Sequence, residues 1–377
     1  MIKPHTCIYE KVGFEDSYGE HILQNFLGAR WVSKKIVCNE AQSQFGSSID
    51  VALEKGLQEF RNLLGSKGGR GGDGPTLKGI SDTEGVKYNL KPGGIPEVSA
   101  PVIKSQEIPF GTHIKGIIGN TKQLEWLVHE LNKYCPNANI DLAQIRANIT
   151  SEQGYLESYL HLQPTIGGAD YFRGLLKSAF NLLGANASNI ALLPCFDCVR
   201  NFILNGSGSA DTFIRWYSSF PETDMIPILS NFDHFVCVYS NGCNVDGLVQ
   251  FFGGIGHIIR LADSYEGEKF KFGYLVNPLR DSEPAETRIP DFNSALVPQF
   301  DDGYIKPGQE VRTVYKAIID AFLIKYSELS VNKEICRIID EEINSNDQNE
   351  TIQQIGVKIA EKLALFIASR NNRKNEI

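Results

Sequence analysis

The sequence predicts an α+β protein in four parts: an N-terminal ββα unit over residues 1–64, a Gly/Pro-rich linker over 65–109, an α+β domain with an antiparallel meander over 110–307, and a C-terminal helical region over 308–377. Three observations carry this. Two short β-type runs, around His21 to Leu23 and Lys35 to Cys38, precede an amphipathic helix. The composition then shifts abruptly to Gly and Pro, in GSKGGRGGDGP and LKPGGIPEVSAP. Finally, helical spacing gives way to strand patterning between about Phe232 and Asn277 and returns afterwards.

Taken in order, the first helix is marked by Ile49, Val51, Leu53, Leu57, Phe60 and Leu64, which mostly follow three- and four-residue steps, with Ser47 or Ser48 as N-cap. The linker holds one hairpin around Val86 to Leu90. Leu124, Leu127, Val128 and Leu131 mark a second helix opened by Asn120 or Thr121. A third and more apolar one carries Tyr171, Phe172, Leu175, Leu176, Ala179, Phe180 and Leu183. FDHFVCVYS, GLVQFF, GHIIRLA and FKFGYLVN read as an antiparallel meander, with Asn241-Gly242 as a turn signal. The C-terminal helices are marked by Val314, Ile318, Ala321 and Phe322, by Ile335, Ile338 and Ile339, and by Ile352, Ile355, Ile359, Leu363 and Phe366.

With 377 residues, 42% of them apolar, the chain can bury sizeable cores. No stretch approaches the roughly 18 to 20 apolar residues of a membrane span, and the N-terminus has no leader pattern, so a soluble cytoplasmic protein with no membrane partner is expected. Eight cysteines scattered through a large chain suit reduced thiols better than a disulfide framework. A net charge of −8 argues against a nucleic-acid sheath. Between residues 30 and 70, however, Arg30, Lys34, Lys35, Lys55, Arg61, Lys67 and Arg70 outnumber Glu40, Asp50, Glu54 and Glu59. A phosphate-facing module would show such a local excess, and so would a solvated mixed surface.

Hydrolysis of a phosphodiester needs a base to activate water, a divalent cation against the scissile phosphate and the leaving oxygen, and an acceptor or amide group to hold the base. His21 can serve as the base and Glu20 as a cation ligand, because adjacent residues on an extended backbone reach different sides of one site. By itself a Glu-His pair is common. Its setting is more specific: CIYE, then EHI, then CNEAQSQFGSSIDVAL and a Gly-rich stretch. This run resembles the HNH family of ββα-metal endonucleases, in the subgroup where a CxxC pair precedes a Glu-His-Ile element and a CxxCN pair opens the helix. The likeness covers residues 7 to 64 and extends more loosely through GGADYFRGLLKSAFNLL and the strand-rich region.

The resemblance implies a DNA endonuclease of restriction, phage defence or mobile elements. It further implies that Glu20 holds Mg²⁺ or Mn²⁺, that His21 activates water and that Gln42 orients the imidazole. Arg30, Lys34 and Lys35 would contact nucleic acid, and the C-terminal region would bind a partner protein or form a homo-oligomer. The departures are as specific. The four-thiolate zinc site of the family is reduced to Cys7 and Cys38, with Glu10 and Ala41 at the second positions, so structural zinc is not expected. Gln42 is one methylene longer than asparagine, which displaces its amide by roughly an ångström. The middle asparagine falls at Lys35, which cannot accept a hydrogen bond from the imidazole. The alternative reading is therefore an inactive descendant that keeps the fold as a nucleic-acid-binding or protein-interaction module.

Other motifs weigh less. GRGGDG at 69–74 satisfies G-x-G-x-x-G but does not join a strand to a helix, so the dinucleotide reading fails its context. Cys195 and Cys198 form a CxxC that Cys237 and Cys243 would complete as a zinc site; buried reduced thiols explain them as well. The remaining histidines, from His113 to His257, have no metalloprotease spacing.

Overall fold

The computed structural model describes residues 5–109, 111–150, 156, 158–217, 232–279, 286–289, 292–301, 312–344 and 352–374. Its N-terminal part opens with two short antiparallel pairs, β1 (His5–Thr6) with β2 (Gly13–Phe14) and β3 (Glu20–His21) with β4 (Val32–Ser33). The partner of β3 thus lies earlier than the expected run at Lys35 to Cys38. Those residues are drawn inward instead: Ile36, Val37 and Cys38 are buried, and the Ile36 carbonyl accepts from the Ile8 amide. Helix α1 (Asn39–Ser47) follows, then α2 (Ile49–Leu64), which is the amphipathic helix of the sequence. Ser48 breaks the two apart. It does not cap α2 with its side chain; the Ser48 hydroxyl donates back to the Gln44 carbonyl.

The expected linker is a folded structure. Strands β5 (Leu77–Ser81), β6 (Lys87–Lys91) and β7 (Ile95–Val98) form a three-stranded antiparallel sheet, and β8 (Val102–Ile108) pairs with β9 (Gly111–Ile117). The sheet is fixed to the end of α2 by Asn62, whose amide donates to the Pro75 and Leu90 carbonyls at 2.7 and 2.8 Å. Its strands are short and bury only Leu77, Leu90 and Val98, too few apolar residues to make an alternating pattern stand out from the turns. Helices α3 (Leu124–Tyr134) and α4 (Leu142–Asn148) come next, with Asn120 capping the short 3₁₀ turn ahead of α3.

Helix α5 (Ala169–Asn186) is the centre of this architecture, followed by α6 (Ser188–Ala191) and α7 (Asp197–Asn205). It is buried over nearly its whole circumference, as a helix must be when it has structure on two sides. One side meets α2, where an added Cβ on Gly174 would sit 2.7 Å from the Ile49 carbonyl; only glycine permits the two backbones to come so close. The other side packs on a six-stranded antiparallel sheet. That sheet comprises β10 (Ile214–Tyr217), β11 (His234–Ser240), β12 (Val245–Phe251), β13 (Ile255–Ala262), β14 (Phe270–Val276) and β15 (Glu286–Ile289), in the order β10-β13-β12-β11-β14-β15. The expected meander is present in β11 to β13, with the Asn241-Gly242 turn. Strand β14, however, returns to the far side of β11. Phe292, Val297 and Phe300 cover the face opposite α5, which is why β11 and β12 are buried on both faces.

Residues Met1–Tyr315 form one compact unit and Lys316–Ile377 a second. The boundaries expected after residues 64 and 109 therefore fall inside a single unit, and that expected at 307/308 lies outside the described residues. The three apolar groups of the C-terminal sequence belong to two helices, α8 (Arg312–Asn344) and α9 (Ile352–Lys374). The protein is thus mixed α+β, with an antiparallel sheet and C-terminal helices. Among the described residues, no helix is long and apolar enough to cross a membrane.

Candidate functional site

Along α5, the residues Gly174, Lys177, Ser178 and Asn181 recur at i, i+3, i+4 and i+7 and so form one stripe down a largely apolar helix. That stripe faces β3 and the start of α2. The Lys177 ammonium lies 2.6 Å from Glu20 Oε1 and donates to Asp50 Oδ1 and Oδ2 at 2.8 and 2.7 Å. Asn181 donates to the Glu20 carboxylate at 3.3 Å and to the His21 carbonyl at 3.0 Å, while its own carbonyl accepts from the Tyr9 hydroxyl at 2.8 Å. Gln24 completes the network. Its amide nitrogen donates to Asp50 and to the Gly174 carbonyl, and its oxygen accepts from Ser178.

Of this network, Glu20, His21, Gln24, Asp50 and Lys177 line a cleft of about 450 Å³. Glu20, His21 and Gln24 enter it from β3 and the turn that follows, Gln42 and Gly46 from α1, Asp50, Glu54 and Arg61 from α2, and Lys177 from α5. The Gly-rich segment supplies Gly68, Arg70, Gly72 and Asp73. GRGGDG is therefore a loop laid over the cleft. It is held by the Gly69 amide on the Asn25 carbonyl at 2.8 Å and by Arg30 Nε on the Gly69 carbonyl at 2.9 Å. A Cβ on Gly69 would sit 2.0 Å from the Ala29 carbonyl oxygen, so this approach also demands glycine.

The electrostatics divide the cleft in two. Burial first, then the charges of Arg70 and Lys177, lower the pKa of His21 below its ordinary value, which favours the neutral imidazole that a general base requires. Burial raises the pKa of Glu20, opposed chiefly by Lys177. For Lys177, burial works against the charge, but Asp50 and Glu20 outweigh it and raise the pKa. The ammonium is the firmer charge of the pair because two carboxylates, Glu20 and Asp50, approach its nitrogen to within 2.8 Å. Arg61 is likewise committed, to Glu54 at 2.5 Å and to the face of Phe26.

Of the residues singled out from sequence, Glu20, His21 and Gln42 come together in the cleft. The Gln42 amide nitrogen donates to the Gly19 carbonyl at 2.5 Å, and its oxygen is buried with no partner among the described residues. Gln42 thus holds the backbone leading into Glu20 and makes no hydrogen bond to the imidazole. Arg30, Lys34 and Lys35 are exposed and lie outside the cleft lining, where the basic residues are Arg61, Arg70 and Lys177. Cys7 and Cys38 meet, with the Cys38 amide 3.4 Å from Cys7 Sγ, and burial pushes the Cys38 thiol up to about 11. Glu10 is exposed. Cys237 sits in the sheet core, whereas Cys198 and Cys243 are exposed. Among the described residues, no group of three or more His, Cys, Asp or Glu is placed to hold a metal.

Lys177, Asp50 and Asn181 were missed. Their signal in the sequence is a lysine inside the run YFRGLLKSAFNLL, with Gly, Ser and Asn at helical intervals around it. No family model, curated protein or solved structure matches the chain.

Proposed function

We infer that the chain is an HNH-type endonuclease that hydrolyses DNA phosphodiester bonds, with His21 as the general base. The observation that carries this reading is the convergence of His21, with its lowered pKa, on a cleft shared with Glu20, Gln42 and Arg70. The order β3, β4, α1, with Glu20-His21 on the first strand and Cys38 immediately ahead of the helix, supports the family assignment. In the proposed step the imidazole takes a proton from water as the water oxygen bonds to phosphorus and the bond from phosphorus to the leaving sugar oxygen breaks; solvent protonates the leaving oxygen. Arg70, exposed on the Gly-rich loop, supplies the charge that meets the phosphate.

The family resemblance brings Mg²⁺ or Mn²⁺ with it, at Glu20. The residues present do not fit such an ion, because the Glu20 and Asp50 carboxylates already enclose the Lys177 ammonium. No part of the step is therefore assigned to a metal. The same observation favours a second reading, a non-enzymatic module that binds nucleic acid through the cleft rim. A plasmid-nicking time course decides between them: His21-dependent nicking supports the nuclease, and DNA binding with no nicking by the wild type supports the module.

A further inference from the structure

Lys177 is a wholly enclosed charge. It is fully buried, and its nitrogen lies within 2.8 Å of three carboxylate oxygens, one of Glu20 and two of Asp50. Its charge is committed to two carboxylates, so it is not the group that meets a substrate phosphate. What it does is join two acids that belong to different elements, Glu20 on β3 and Asp50 on α2, around one positive centre. Oxygen atoms of two carboxylates gathered around a single cation is the arrangement by which a hard metal ion is held. Gln42 also lines the cleft, and its side-chain oxygen, buried with no partner among the described residues, is a neutral acceptor of the type such ions take.

We propose that the Lys177 ammonium is the resident cation of this site: it fills the position that a divalent ion would need between Glu20 and Asp50, so the folded protein takes up no Mg²⁺ or Mn²⁺ there. Lys177 is then a positioning residue. It fixes Glu20, and through the strand the adjacent His21, by charge supplied from the protein's own chain. The inference rests on the nuclease reading only for its consequence, that any cleavage needs no added metal. The charge substitution itself stands on the geometry of the three residues.

The test is a Mn²⁺ titration of the full chain, followed by the electron paramagnetic resonance signal of the free ion. The wild type should leave that signal as it is in buffer. Lys177→Met removes the competing charge and should gain Mn²⁺ affinity on the order of 10²-fold, with the gain lost again in Lys177→Met/Glu20→Gln. If Lys177→Met does not fold, Lys177→Gln, which retains two N–H donors for the carboxylates, takes its place. A merely structural lysine would leave Mn²⁺ uptake unchanged on substitution, and that result would overturn the proposal. So would Mn²⁺ uptake by the wild type that disappears in Glu20→Gln. Nicking assays in Mg²⁺ and in EDTA, run alongside, keep the two ideas separate. Equal nicking in both supports the proposal. Absence of nicking with the expected Mn²⁺ pattern removes the nuclease reading and leaves the resident cation in place.

Discussion

Lys177 on α5 lies 2.6 Å from the carboxylate of Glu20 on β3, and both side chains are almost wholly buried. A charge pair withdrawn from water is stable only when each partner is matched, and here Asp50 and Asn181 complete the match. The consequence is mechanical as well as electrostatic. The strand that carries His21 is tied to a helix from a distant part of the sequence, so the position of the imidazole depends on the packing of α5.

Replacing His21 by Ala should reduce plasmid nicking by roughly 10² to 10⁴-fold while leaving DNA affinity nearly unchanged, because the imidazole acts on water and Arg70 acts on phosphate. Cleavage that survives the substitution would locate the chemistry elsewhere in the chain.

Nicking should hold to a lower pH than an ordinary histidine allows. The His21 pKa is depressed, first by burial and then by Arg70, so the base stays neutral as pH falls towards that lowered value. Arg70→Gln removes one of the depressing charges. The acid limb of the rate profile should then move to higher pH, together with a rise in KM. An unmoved limb would show that Arg70 does not act on His21.

Gly69→Ala should weaken DNA binding and nicking together. Its new Cβ would lie 2.0 Å from the Ala29 carbonyl oxygen, so the loop must lift away and take Arg70 with it. Gly72→Ala is the control, since nothing lies within 4 Å of its Cβ. Fluorescence anisotropy on a labelled duplex separates the two; equal affinities would mean that the loop does not position Arg70.

Lys177→Met should destabilise the protein by about 3–5 kcal/mol in urea denaturation, because it strands the buried Glu20 carboxylate without its partner charge. Adding Glu20→Gln should recover part of that loss. If the double variant is no more stable than the single one, the burial of Glu20 is not what Lys177 offsets.

Acid stability should be governed by two histidines outside the cleft. Burial lowers His234 and His257 to about 3, from an ordinary value of 6.5. Between those pH values the unfolded chain binds more protons than the folded one. Their contribution is therefore present above 6.5 and is lost as pH falls through about 3, up to roughly 4 to 5 kcal/mol each. His257→Phe, placed against Trp216 and Phe172, should flatten the fall. An unchanged pH dependence of the urea midpoint would count against it.

Local chemistry was enough to determine the α+β class, helices α2, α3 and α5, strands β11 to β14 and the Asn241-Gly242 turn. Periodicity of 3.6 or 2 and turn residues report on the backbone within a few positions, and these elements are long enough to display them. The pairing of His21 with Glu20 was also legible, since the two are adjacent. Of the three strands between Gly65 and Pro101 only β6 was anticipated, by the hairpin expected around Val86 to Leu90; the others bury too little to show a period. Tertiary structure alone decided that Lys177 closes the Glu20–Asp50 pair and that Gly69 brings Arg70 over the cleft. The i, i+3, i+4, i+7 stripe on α5 marks a face with polar work to do. Which carboxylates meet it depends on how α5 seats against α2 and β3, and a buried charge has no local signature of its partner: the Coulomb energy that selects the partner exists only once the fold has excluded water from both.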